Sequence, residues 1–158
     1  QYVDGIVTVS EDEIAAAILA LMENQKLVAE GAGATPVAAA LFGKLPIEGK
    51  KVVCLISGGN IDVNILNRVI TRGLVMSGRK ANLTIALEDK PGQLERVAAI
   101  VSRCGSNVVS VLHDGSDPNM PISSCFLKLA LETRDHAQIE QIRQELTKEG
   151  FQLVAERV

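Results

Sequence analysis

The feature that most constrains this chain is a change of hydrophobic period, repeated in a fixed order through its second half. Leu83, Ile85 and Leu87 alternate with Thr84, Ala86 and Glu88, the two-residue period of a half-buried strand. Asp-Lys-Pro-Gly at 89–92 breaks it, and Leu94, Val97, Ala98 and Val101 then recur at helical spacing until Gly105. NVVSVLHD (107–114) predicts a second strand and GSDPNMP (115–121) a turn-rich connection. ISSCFLKLALE (122–132) predicts a third strand with Cys125, Leu127, Leu129 and Leu131 on one face. Asp135 and Gln138 have the spacing of a second capping box, Ile139, Ile142 and Leu146 form the helical stripe behind it, and Gly150 stands at C′. FQLVA (151–155) closes as a fourth strand.

The order β-α-β-β-α-β is the ferredoxin-like plan, an antiparallel sheet with two helices on one face. Such a sheet leaves edge strands with unpaired backbone groups, which must be covered or paired. NVVSVL, rich in β-branched residues, is the candidate edge. The net charge of −3 falls entirely in residues 81–158, the sign of a solvated surface.

The first half reads differently. Ser10 and Glu13 form a capping box, and Ile14, Ile18, Leu21 and Met22 follow at helical spacing, predicting a helix over 11–24. KLVAEGAGATPVAAALFG predicts a short strand to Glu30, a glycine turn, and a small-residue helix to about Gly43 with Pro36 in its first turn. VVCLI (52–56) reads as a buried strand, followed by SGGN (57–60) and a helix carrying Ile61, Ile65, Leu66, Val69 and Ile70 as far as about Gly73. Strand, glycine turn, helix is a way to aim backbone N–H groups and one side chain at a bound molecule. One buried strand cannot form a sheet alone. The expected organisation is therefore an α/β fragment at 1–72, the tail of a larger domain, a linker at 73–80, and an α+β domain at 81–158. The chain begins at Gln1 without a Met, which suggests a piece of a longer polypeptide or a processed one.

Composition excludes several classes. Aromatic residues make up 3%, with no Trp, which leaves no stacking platform for single-stranded nucleic acid. The net charge of −3 gives no basic surface for a phosphate backbone. No apolar run approaches a membrane span; IAAAILALM is too short and has acidic neighbours. Cys54, Cys104 and Cys125 are far apart, odd in number and without a CxxC spacing. They are expected to be reduced thiols of a cytoplasmic protein. His113 with Asp114 and Asp117 lacks a second histidine nearby, so no metal is expected there. His136 is expected to be exposed in the first turn of its helix.

VAEGAGATPVAAAL, VVCLISGGNID and LTIALEDKPGQLERVAAIVSRCGSNVVSV, in that order, are similar to the C-terminal part of the threonine dehydratase (threonine ammonia-lyase) family. The resemblance covers essentially the whole chain. It implies the tail of a fold-type II pyridoxal-phosphate catalytic domain followed by one ACT regulatory domain. It also implies that Ser57 hydrogen-bonds the pyridine nitrogen of pyridoxal 5′-phosphate and that Glu30 lies beside the cofactor ring. Gly58, Gly59 and Asn60 would let the backbone come close and open the next helix. The family's Schiff-base lysine, in an S-x-K-x-R-G context, and its glycine-rich phosphate cradle both lie upstream. Lys26, Lys44, Lys50 and Lys51 lack that context, so no catalytic residue is assigned and the chain is expected to be inactive alone.

For the second half the resemblance implies an amino-acid site near a dimer interface. LEDKPGQL would hold the ligand, with backbone N–H groups at a helix N-terminus favouring its carboxylate. Asp89 and Asn107 would hold the amino group and carboxylate, Gly92 would give room, and Gln93 and Leu94 would complete the loop. Leu87 stands where some serine-binding relatives have histidine, which implies an aliphatic effector such as isoleucine or valine. The alternative is that Asp89 caps the following helix and Pro91-Gly92 only turns the chain. Two functions follow: the C-terminal fragment of a threonine dehydratase regulated by an amino acid, or a non-catalytic amino-acid-binding and dimerisation module. Both imply a homo-oligomer, a dimer or tetramer paired through ACT edge strands.

Overall fold

The computed structural model describes residues 2–115 and 121–154. Asp117 and most of the expected 115–121 connection lie outside the described residues, as does Ala155 of the expected last strand. The chain divides into two compact units between Met76 and Ser77.

The first unit is three helices, α1 (Glu11–Gln25), α2 (Gly31–Leu41) and α3 (Val63–Met76). The capping box of α1 is closed: Ser10 Oγ accepts from Glu13 N–H at 3.2 Å and Glu13 Oε2 accepts from Ser10 N–H at 2.8 Å. Lys44 Nζ lies 2.8 Å from the other oxygen of Glu13. That ammonium and the Ser10 N–H hold the Glu13 carboxyl below its ordinary pKa. Ala17, Ile18 and Leu21 of α1 pack on Ala29, Ala34 and Ala38, with Leu66 and Val69 of α3 closing the cluster. Alanines on α2 keep that helix close to α1.

Five expectations for this unit are corrected. α3 does not stop at Gly73 but runs through it to Met76. A Cβ at Gly73 would stand 3.0 Å from Leu19 Cδ2 and 3.2 Å from the Ala15 carbonyl oxygen, so this glycine is a close crossing of α3 on α1 rather than a break. Pro36 lies beyond the first turn of α2. Neither the segment leading to Glu30 nor VVCLI is a strand, and Val52, Val53 and Leu55 are exposed, Val53 at 94%. A strand exists only through a ladder of bonds to a neighbour, and the described residues of this unit offer VVCLI none. Asn60 does not open α3; Asp62 does, its Oδ1 accepting from Asn64 N–H at 2.8 Å.

The second unit bears out the β-α-β-β-α-β order: β1 (Lys80–Glu88), α4 (Gln93–Arg103), β2 (Asn107–Asp114), β3 (Ser124–Glu132), α5 (His136–Lys148) and β4 (Gln152–Val154). The strands lie in the order β2-β3-β1-β4 and every pair is antiparallel, so β2 is an edge. Leu83, Ile85, Leu127, Leu129 and Leu131 meet Val97, Ile100, Val101, Ile142 and Leu146 in one core. Leu94, expected in the α4 stripe, is 49% exposed; Ile100 takes the buried place. β2 carries a bulge between Val108 and Ser110.

The expected second capping box is half formed. Asp135 Oδ1 accepts from Gln138 N–H at 2.8 Å, but Gln138 Oε1 accepts from Arg134 N–H, at 2.7 Å, rather than from the N-cap. Gln138 is 2% exposed, and its Nε2 donates to the Cys104 carbonyl at 2.7 Å. One buried amide thus ties the start of α5 to the end of α4. The expected linker 73–80 also resolves into parts of other elements. Residues 73–76 belong to α3, and Gly78, at φ 69, packs where a Cβ would stand 2.5 Å from His136 N.

Candidate functional site

In the first unit the start of α2 and the SGGN loop are pressed together. Glu30 N–H donates to the Gly58 carbonyl at 3.2 Å. A Cβ on Gly33 would stand 2.1 Å from the Ser57 carbonyl oxygen, and one on Gly59 2.9 Å from that of Val28. Gly58 adopts φ 80, and a Cβ there would meet the Glu30 carboxylate at 2.7 Å. The glycines of both motifs therefore serve the same contact: no side chain fits between the loops. The contact leaves Ser57, Gly58, Gly59 and Asn60 exposed and Glu30 half-buried at the N-cap of α2, where its side chain makes no capping bond. The donor set, a free-standing hydroxyl beside a carboxylate and bare backbone, fits the ring edge of an aromatic cofactor.

In the second unit the 89–94 loop follows β1. Gly92 has φ 89 and is the N-cap of α4, with no side-chain capping bond, so Asp89 does not cap that helix. Asp89 N–H donates to the Ser123 carbonyl at 2.8 Å and its Oδ1 lies 3.2 Å from His113 Nε2. A groove of about 410 Å³ runs along Lys90, Gly92, Gln93, Arg96 and Arg103. Gln93 Oε1 is buried at its edge without a hydrogen-bond partner, an orphan acceptor that a ligand's amino group could satisfy. Gln93, expected from the resemblance to complete the loop, thus lines this groove.

Asn107 is not brought to this loop. Its Nδ2 donates to Glu132 Oε2 at 3.1 Å, and it pairs with Glu132 at the far end of β3. Glu88 pairs with Ser124 at the near end. At about 3.3 Å per residue, those ends are roughly 26 Å apart. Within one copy, Asp89, Gly92, Gln93 and Leu94 form one cluster and Asn107 stands outside it.

His113 and Cys125 join Asp89 instead, a grouping that crosses three strands and that sequence analysis missed. The alternation already placed Cys125 on the core face; pairing His113 with Leu127 puts the imidazole there too. All three cysteines are free. Burial, and then the Asp89 carboxylate, raise the Cys125 thiol above its ordinary pKa; burial, and then Glu145, do the same for Cys104. No helix among the described residues is long and apolar enough to cross a membrane.

Comparison with known proteins follows the same division. The family described as pyridoxal-phosphate dependent enzyme matches residues 1–58. An L-threonine ammonia-lyase of Thermotoga maritima is 48% identical over 97% of this chain and 38% of its own length. One of Geobacter sulfurreducens is 41% identical over 94% of this chain and 37% of its own. The catabolic L-threonine dehydratase TdcB of Escherichia coli K12 is 49% identical over 44% of this chain. The ACT domain of a GTP pyrophosphokinase of Chlorobium tepidum aligns with 48% of this chain at 15% identity and a TM-score of 0.37. The chain spans less than two-fifths of the length of the first two of these relatives. Over nearly its whole length the chain is thus similar to part of the L-threonine ammonia-lyases, with the match to pyridoxal-phosphate dependent enzymes confined to the first unit and the βαββαβ fold forming the second.

Proposed function

We propose that this chain is the C-terminal part of a threonine ammonia-lyase, a lyase converting L-threonine to 2-oxobutanoate and ammonia in the cytoplasm. In this reading the chain supplies one wall of the active site and an amino-acid-sensing ACT domain, and is inactive alone. The observation that carries it is the 48% identity that spans 153 residues, and so both units.

Pyridoxal phosphate, when bound, supplies the electron sink for elimination. Toward it, Ser57 donates its hydroxyl hydrogen to the pyridine nitrogen, which a hydroxyl can do without protonating the ring as a carboxylic acid would. Glu30 walls the ring, held by the α2 contact. The bare backbone of Gly58 and Gly59 and the start of Asn60 lie beside that hydroxyl. No lysine here has the sequence context of the cofactor-bearing residue, which is why the chain alone is read as inactive.

The second unit binds isoleucine or valine at Gly92, Gln93 and Leu94, with the carboxylate on the first N–H groups of α4 and the amino group toward Asp89 and Gln93 Oε1. Asn107 enters only from a second copy. An antiparallel pairing of two β2 edges sets the first residue of one strand beside the last of the other. Val109, Val111 and Leu112 are exposed along that edge. The test is calorimetry with L-isoleucine and L-valine, beside sedimentation, on the chain and its Asn107→Ala variant. Dimers that bind at millimolar concentration, with binding weakened by the substitution, support the reading. Monomers that bind neither amino acid refute it.

A further inference from the structure

We propose that Asp89, His113 and Cys125 form a binding site for a divalent transition-metal ion of zinc's class. One oxygen, one ring nitrogen and one sulfur from these residues all lie within 4.8 Å of one another. The inference does not rest on the proposed catalytic role.

The sheet order builds the cluster. β3 lies between β2 and β1, so strands about 4.8 Å apart place His113 and Asp89 on either side of Cys125. Leu87 pairs with Cys125 and His113 with Leu127, so alternation turns all three side chains toward the same face. Asp89 is fixed there by its N–H bond to the Ser123 carbonyl. Imidazole and carboxylate then meet above the cysteine, Nε2 to Oδ1 at 3.2 Å.

The chemistry fits. Zinc takes nitrogen, oxygen and thiolate ligands at about 2.0–2.3 Å in tetrahedral sites, which puts ligand atoms roughly 3.3–3.6 Å apart. The His113–Asp89 spacing is already close to that, and Cys125 needs the others to close by about 1 Å. His113 and Asp89 side chains are 53% and 54% exposed, so they are free to swing and leave an entry path. Cys125 is 0% exposed and would ligate from beneath. On binding, the hydrated ion gives up water to three protein ligands and keeps one in the fourth position. The Cys125 S–H bond breaks, its electron pair goes to the metal and its proton to the buffer.

The test is titration of the tag-free, chelator-treated chain with zinc chloride by calorimetry, and with cobalt(II) by absorption. The expected result is one ion per chain, about one proton released per ion, and a thiolate-to-cobalt charge-transfer band. Cys125→Ser should abolish the band, and His113→Ala and Asp89→Ala should each weaken zinc binding by about 10-fold or more, by analogy with the cost of losing a supporting contact. Cys54→Ser should change neither. Because Cys125 is a core residue, a misfolded Cys125→Ser leaves the decision to the two surface variants. No binding at tens of micromolar zinc, a band that survives in folded Cys125→Ser, or affinity indifferent to both surface variants would overturn the proposal.

Discussion

Gly33→Ala tests the contact on which the first unit's site depends. The new Cβ would stand 2.1 Å from the Ser57 carbonyl oxygen and 3.0 Å from that of Gly58, where ordinary contact begins at 3.4 Å. Both obstacles are backbone, so no flexible side chain can swing aside. Overpacking of this kind costs about 1–3 kcal/mol, sometimes more, against a gain of about 1 kcal/mol from replacing a helical glycine by alanine. Because both obstacles are backbone, the cost should lie at the upper end of that range, for a net loss of about 2 kcal/mol, and the loop should separate from α2. Amide hydrogen exchange reads this directly, because Glu30 N–H donates to the Gly58 carbonyl and should exchange faster in the variant. Gly31→Ala is the control: its Cβ would meet only Ile14 Cγ2 at 3.7 Å, so it should keep the Glu30 amide protected. A Gly33→Ala chain as stable as the original, with Glu30 equally protected, would show that α2 and the loop are not in tight contact.

Gln138→Leu removes the acceptor for Arg134 N–H and the donor for the Cys104 carbonyl; at about 1–3 kcal/mol per stranded buried group, urea denaturation should show a loss of several kcal/mol. Glu13 has its folded pKa lowered, by Lys44 first. Its contribution is therefore present above the ordinary glutamate pKa and lost as pH falls through the folded value, and Glu13→Gln should flatten the pH dependence of α1 amide exchange in that acid range. Iodoacetamide at neutral pH should modify half-buried Cys54 before Cys104 and Cys125, whose thiols are buried and raised in pKa; mass spectrometry gives the order.

The second unit was legible in sequence because its information is local. Leu83, Ile85, Leu127 and Leu129 alternate on strands that find their partners within the same unit, so period and fate agree. VVCLI carries an equally strong apolar run, but an apolar run becomes a strand only with a neighbour, and Val52, Val53 and Leu55 lie exposed here. Gly73 read as a helix end because glycine punctuates helices; its reason, the crossing on Leu19 and Ala15, belongs to tertiary packing. The motifs EGAGA and SGGN were visible separately, but not that Gly33 of one exists for Ser57 of the other. Asp89 and Asn107 looked like one site by resemblance, and only the register shows them at opposite ends of β3. The Asp89–His113–Cys125 grouping joins three strands at separations that no local pattern encodes.

The most direct measurement is 2-oxobutanoate formation from L-threonine, with pyridoxal phosphate, by this 158-residue chain and by the polypeptide its gene encodes in full. Turnover is expected from the full polypeptide, impaired by Ser57→Ala, and none from the chain alone. Turnover by the chain, or an inactive full polypeptide that carries the cofactor lysine, would contradict that expectation.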